Sequence, residues 1–497
     1  MAIQIQHHPA DYDGQFILST HELPADPCAG GPHGGTRVPM PSLFLRVHPG
    51  LPALPVSDSA GRPLGALLGH PIDLEAGRLL RAELRLNAAW PDGGDPDAFV
   101  DAHILRLGGG FAFILDVPGA RRLYMDAAGC VPAVHCPERR IAASTAPLAL
   151  GPAAPECFDS ELHAALGVLH EGWFPAGLTA HRGAQRILGG RVLDLDAWRL
   201  RRVWPKGPIA PAPRPEDAVA RIARNVRVSV DAARRAGPTV LCLTAGGETR
   251  FMLAACREIA QELEFVTIGA PGGEIDRLMS RRIAARHGLS HRFAPYRAAS
   301  AAESADWHAR VGHCVGGGNM HGFPTVRALS EFAFMIGGAA GEVGRGFFWR
   351  PGDTAKLRID ADALTPRLGL PAHPRLRAAV ASWLEGVPAG MDALQLLDLA
   401  YLELRVSAWG MAQRTAGMGL ARIHPMAARD SLEAMMSLPA EWRAEGRMIR
   451  EGIRMLWPEL LEFPFNRYGD WRDLARPAVR ALRDPRLVVK KLRKRFG

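Results

Sequence analysis

TVLCLTAGGETR, residues 239–250, is the stretch on which the reading of this chain turns. An apolar, β-prone run over 239–243 stops at four small residues, Thr244, Ala245, Gly246 and Gly247, and a helical pattern begins at Glu248. Residues this small let backbone N–H groups approach an anion, and a helix start adds unpaired donors and the positive end of its dipole. The hydroxyls of Thr244 and Thr249 suit phosphate oxygens, and Glu248 suits the magnesium that accompanies a nucleotide. Leu243 at the strand end and Arg250 in the first helical turn complete the expected nucleotide-binding set. An ordinary βα turn without a ligand has the same local pattern, and the GK[ST] ending of a Walker loop is missing.

The chain beyond this loop favours the ligand reading. Residues 264–269 read as a second buried strand, with Ile268 at its carboxyl end, and 274–288 as an amphipathic helix closed by Gly288. A third strand is expected at 289–293, and a long helical run over 216–237 leads into the first. Strands alternating with helices imply a parallel sheet whose ligand lies at the carboxyl ends of the strands. A second glycine loop, FAFMIGGAAGEVGRG over 332–346, has no clean G-x-G-x-x-G, and its Glu342 would repel a bare pyrophosphate. Gly337 is expected to line the nucleotide site there. Arg345 is either a charge for pyrophosphate or a solvated, ion-paired side chain.

The first loop resembles the pyrophosphatase loop of the asparagine synthetase family, S-G-G-x-D-S, with Thr244, Ala245, Gly246, Glu248 and Thr249 in the motif positions and Arg250 after them. The phrase A-x-x-G-L-x-H is matched by Ala285, Gly288, Leu289 and His291. The second loop is similar to S-G-x-G-x-D-E. With Glu342 on the final Glu, Gly338 stands where the family carries a catalytic Glu and Gly341 where it carries an Asp. Further on, Arg422 and Pro425 match part of E-x-R-x-P-F-x-D, and the family's downstream Lys has no counterpart. Arg447 or Arg450 stands near its place, as a fixed charge that cannot shuttle a proton.

The amino-terminal half fits the same resemblance. Residues 108–116 and 122–132 read as an alternating hairpin and a turn, similar to the family's glutaminase-like domain, and 186–196 resembles that domain's closing segment. A glutaminase of this kind needs Cys as its first residue, with its own α-amine as base. This sequence begins Met1-Ala2-Ile3 and its earliest cysteine is Cys28, so glutamine is not expected as nitrogen donor.

The expected organisation is therefore an α+β, Ntn-type glutaminase-like domain over 1–205, then an α/β parallel-sheet, adenine nucleotide alpha-hydrolase-like domain over 206–480. The proline-rich 204–215 serves as a semi-rigid linker, and a basic tail covers 481–497. The resemblance implies ATP and Mg2+ as cofactors, with Glu248 and Glu342 on the metal and Glu342, Arg345 and Arg447 as catalytic candidates. It implies a small-molecule or peptide carboxylate as acyl substrate and ammonia or a substrate amine as nucleophile, a logic shared with β-lactam synthetases and lasso-peptide cyclases. Two alternatives stand beside it: a nucleotide-binding scaffold that has lost the chemistry, and an RNA-modifying pyrophosphatase-loop enzyme.

Composition sets the remaining bounds. With 497 residues and 47% hydrophobic content, the chain is long enough for two cores. The net charge of +9 is densest in the tail, which lacks the aromatics of a base-stacking surface, so a solvated tail is preferred and nucleic acid is not expected as partner. No apolar stretch reaches spanning length and no secretory signal is evident, which points to the cytoplasm. Seven cysteines without CxxC spacing argue against a disulfide framework. His308, His313, Cys314 and His321 form a metal-like group whose spacing follows no ligand motif, so loop or pocket-wall roles are preferred. Glu403 and Arg405, in an apolar helix, are read as ion-pairing and packing residues.

Overall fold

A computed structural model describes residues 6–474; Met1-Ala2-Ile3 and the basic tail over 481–497 lie outside them. The protein is a mixed α/β molecule with two largely antiparallel sheets in its amino-terminal half and one parallel sheet in its carboxyl-terminal half. No described helix is long and apolar enough to cross a membrane.

The two amino-terminal sheets stack face to face. Phe16, Leu18 and Leu45 of a six-stranded sheet meet Leu68, Ile114, Leu123 and Met125 of an eight-stranded one. The strands at Gly108–Val117 and Ala120–Met125 form the expected hairpin, with Val117 opposite Ala120. Strand alternation sends Phe111, Phe113 and Leu115 to the outer face, where Phe99 and Val100 of the helix Pro96–His103 cover them. On the far side of the other sheet, Ile17, Val134 and Ala143 pack on the helix Ala146–Leu150. The result is four layers: helix, sheet, sheet, helix.

In the carboxyl-terminal half, five strands run parallel in the order Ser290–Ala294, Glu264–Ile268, Thr239–Cys242, Phe334–Ile336, Ala421–Ile423. Their inner residues are continuously apolar, with Val240, Leu241, Phe265, Val266 and Ile336 all buried, as in a sheet covered on both faces. The helix Pro215–Ala236 carries Pro at its first turn with Glu216 and Asp217, and Arg234 and Arg235 in its last, charges that oppose the helix dipole. Its buried stripe, Ala218, Val219, Ile222, Ala223, Val226, Val230 and Ala233, recurs at helical spacing. Gly288 closes the helix Glu274–His287 with φ of +64°, a left-handed cap that glycine adopts without strain.

Two expectations change. The 204–215 stretch is a packed strap: Ile209 exchanges hydrogen bonds with the Gln395 side chain at 2.9 and 2.8 Å, and Ala212 N–H donates to the Ser437 carbonyl at 2.8 Å. The apolar helix near 398–409 is α-helical over Ala393–Ala400 and continues as a π-helix over Tyr401–Gly410, a widened form that recurs at functional sites. Glu403 on that segment accepts from Arg191, Arg202 and Trp383, joining the two halves as an ion-paired residue.

Candidate functional site

The strand order places Thr239–Cys242 at the point where the connections change direction: the next strand lies on one side, and Phe334–Ile336 on the other. Open α/β sheets bind ligands in the crevice outside such a switch point. Both glycine loops leave the sheet there.

The first loop is held from within. Thr244 N–H donates to the Thr249 hydroxyl at 3.2 Å, the two hydroxyls lie 2.9 Å apart, and Gly246 N–H donates to Thr244 Oγ1 at 3.1 Å. Ala245 N–H donates to Asp276 Oδ1 at 2.9 Å. The helix Gly247–Ala255 starts from Gly246 without a side-chain cap, which leaves its first N–H groups without a capping acceptor, and carries Glu248 in its first turn. Leu243 is fully buried and bonds Val266 through its backbone at 2.9 Å. Ile268 stands at the end of the neighbouring strand, half-buried. At Gly337, N–H donates to the Ile423 carbonyl at 3.0 Å, and an added Cβ would come within 2.9 Å of His424.

Arg250 requires a correction. It has no exposure, and its guanidinium donates to the carbonyls of Ala245, Leu460, Phe463 and Pro464 while lying 4.2 Å from the Phe465 ring centroid. Burial lowers its pKa to about 10. It ties the loop to residues 460–466 instead of reaching toward a phosphate. Asn466 N–H in turn donates to the Ala245 carbonyl at 3.1 Å.

The two loops meet at Glu248. Arg345 Nε donates to Glu248 Oε1 at 3.0 Å, and Arg345 Nη2 lies 3.9 Å from Glu342 Oε1. Burial, then the nearby Glu248 charge, raises the Glu342 pKa, and the neighbouring Tyr401 hydroxyl acts in the opposite direction. Glu342 Oε2 is buried with no partner among the described residues. Arg405, one turn beyond Tyr401, lies over the rings of Trp173, Phe347 and Trp409 at 4.6, 5.6 and 4.7 Å. Beside Arg345 opens a hollow of about 400 Å³ lined by Trp349, Arg350, Leu394 and Glu441 among others, within the size range of small-molecule sites. A second hollow, about 320 Å³ between Val219, Arg227 and Met455, touches neither loop.

The glycines at 338 and 341 have a steric reason. A Cβ on Gly338 would stand 2.9 Å from Glu248 Cβ; one on Gly341 would stand 2.5 Å from Met426 Sδ and 3.0 Å from Glu248 Cγ. Glu248 therefore occupies the space that side chains at 338 and 341 would need.

Arg447 is placed differently from its expected role. It opens the helix Arg447–Leu456 and pairs with Glu445 at 2.7 Å, while its neighbours Met448 and Ile449 pack against Gly344 and Gly247. Its helix braces both loops, and its own charge is directed to Glu445. Sequence reading missed Asp276, Tyr401 and Arg443, which donates to the Val343 carbonyl at 3.0 and 3.3 Å. The only local signal among these was Asp276, in the first turn of a helix that begins just after the second strand.

Gly246 has φ of −72° and ψ of 162°, values any residue adopts, and a Cβ there meets Thr244 Oγ1 at 3.1 Å. If the loop holds ATP, as the sequence leads one to expect, Gly246→Val should fold normally yet abolish that binding, because the branched side chain blocks the backbone's approach to phosphate. Calorimetry with ATP and magnesium checks this, and wild-type affinity would remove the loop from the site. No family model and no curated protein matches the chain.

Proposed function

We propose that this chain is an asparagine synthetase-like, ATP-dependent amide-forming ligase, with an Ntn-type glutaminase-like domain followed by an adenine nucleotide alpha-hydrolase-like one. The observation that carries the reading is the meeting of two glycine loops at the strand-order switch, with Glu248 and Glu342 side by side. The uncapped helix start fits the phosphates of ATP. The unpartnered Glu342 oxygen, next to the Glu248 carboxylate, fits a magnesium ion, which neutralises phosphate charge when bound.

In this reading a substrate carboxylate attacks the α-phosphorus of ATP, pyrophosphate departs, and an amine then attacks the acyl carbon and releases AMP. Arg345 changes partner, from Glu248 to the departing pyrophosphate. Tyr401 stands beside Glu342. The hollow beside Arg345 receives the acyl substrate.

A second reading, a nucleotide-binding scaffold, is favoured by the Arg345–Glu248 pair, in which the metal-binding carboxylate is already occupied by a cation. Pyrophosphate release from ATP and magnesium across a panel of carboxylic acids separates the two. Release with at least one acid supports the ligase; binding without release supports the scaffold.

Nitrogen should come from ammonia or a substrate amino group. Burial pushes up the thiols of Cys28, Cys130, Cys136, Cys242 and Cys256, which disfavours the nucleophilic thiolate. Glutamate release from glutamine by the 497-residue chain is expected to stay at background, and robust release would overturn this assignment of the nitrogen source.

A further inference from the structure

Outside the glycine loops, the described residues bring five histidines together where the two halves of the chain meet. His163 lies on the helix Ser160–Ala165, His308 on the helix Ala301–Arg310, and His313 in the turn just beyond it. One ring nitrogen from each of these three lies within 4.8 Å of the others. His181 and His7 flank them, with ring centroids 5.9 and 6.2 Å from that of His313. Cys314, which the sequence groups with His308 and His313, points its thiol at the Gly312 carbonyl instead.

These imidazoles are buried: His163, His181, His308 and His313 have 8, 2, 6 and 3% exposure. His163 Nε2 and both ring nitrogens of His181 and His308 have no hydrogen-bond partner among the described residues. Packing around the Phe158 ring, which four of the histidines touch, satisfies ring carbons and leaves nitrogen lone pairs unmet. Buried polar atoms in folded proteins are normally paired or bound to an ion.

His313 carries two further signs. Its φ is +58°, a left-handed conformation uncommon outside glycine. Its Nε2 lies 3.1 Å from the Gln6 carbonyl. A carbonyl only accepts, so Nε2 bears the proton and Nδ1 presents a lone pair, the arrangement that orients histidine ligands on metals.

We propose that His163, His308 and His313, joined by His181, bind a zinc ion that staples the amino-terminal half to the carboxyl-terminal half. Four neutral imidazoles without carboxylates match zinc's preference for nitrogen in tetrahedral sites. Zinc–nitrogen bonds of about 2.0–2.1 Å put tetrahedral ligand atoms about 3.4 Å apart, so the three nitrogens need to close by about 1.4 Å or less. Side-chain rotation supplies that. The ion would lie beside two existing links between the halves, the Trp173–Val315 bridge and the Phe174 N–H bond to Cys314, and none of its ligands belongs to either glycine loop. Its role is therefore structural, and it does not depend on the ligase reading.

Full-length protein, stripped with chelator, is titrated with Co2+ as a spectroscopic stand-in for zinc. Expected are the intense visible bands of four-coordinate cobalt, saturating at one ion per chain, displacement by zinc, and a higher melting temperature with zinc present. His163→Gln and His308→Gln should each weaken binding by about a hundredfold or more, since even partners outside the ligand shell matter by about 10–100-fold. The partly exposed group of Asp11, Asp13 and His33 is the other place among the described residues where three such ligand atoms converge, and His33→Gln should leave the bands intact. Absent bands with an unchanged melting temperature in the wild type would overturn the proposal. So would bands that survive in His308→Gln or vanish in His33→Gln alone.

Discussion

Arg345→Ala and Glu342→Gln are each expected to slow pyrophosphate release about a hundredfold while changing ATP affinity less than about threefold. Charge aimed at a leaving group acts mainly in the transition state, and removing one such contact costs about 3 kcal/mol there. Arg345 is 44% exposed at its side chain and shared between Glu248 and Glu342, so it is free to follow a departing anion. Glu342 also gives the pair a pH signature. Burial and Glu248 raise its pKa, and a carboxylate must be ionised to hold magnesium. Turnover is therefore lost as pH falls through that raised value and is full above it, and the limb attributable to Glu342 should vanish in Glu342→Gln. Parallel measurements of ATP binding and pyrophosphate release decide the matter. Unchanged turnover in both variants would remove the two residues from the chemistry, and a wild type that binds ATP yet releases nothing would leave the scaffold.

The features that were legible in the sequence are those with a local or periodic signature. The parallel strands at Thr239–Cys242 and Glu264–Ile268 are short apolar runs ending in small residues, the helix Pro215–Ala236 repeats its apolar stripe at helical spacing, and Gly288 marks a helix end. What escaped is contact between distant residues. Arg250 beside a phosphate-type loop reads as a phosphate ligand, yet the carbonyls of Leu460, Phe463 and Pro464, some 210 positions later, capture it. Tyr401 and Arg405 sit in a run whose composition reads as ordinary helix; only the widened π geometry and the arrival of the second loop give them a place near Glu342. Gly338 and Gly341 show in sequence as missing acids, while the space taken by Glu248 appears only when the two loops are seen together. The histidines behave the same way: His308 and His313 are close in sequence, but His163 comes from the other half.

The largest loss of stability is expected from Asp398→Ala. Asp398 and Arg443 are 1 and 2% exposed at their side chains and form an ion pair in the core. Arg443 also lies 4.4 Å from the Trp349 ring centroid and donates twice to the Val343 carbonyl. Removing the carboxylate strands a buried guanidinium, and breaking such a pair from one side costs about 3–5 kcal/mol. Denaturant unfolding followed by circular dichroism checks the figure, and a change below about 1 kcal/mol would show that Arg443 relaxes to another partner. Replacing both partners by apolar residues of similar volume, Asp398→Leu with Arg443→Met, should restore much of the stability, because no charge is then left buried. Activity should not return with it. Val343 lies between Glu342 and Gly344 in the second glycine loop, and without Arg443 its carbonyl loses the donor that fixes the loop. A double variant that is stable yet slow in pyrophosphate release would assign Arg443 to positioning Glu342; one that is stable and fully active would confine the pair to the core.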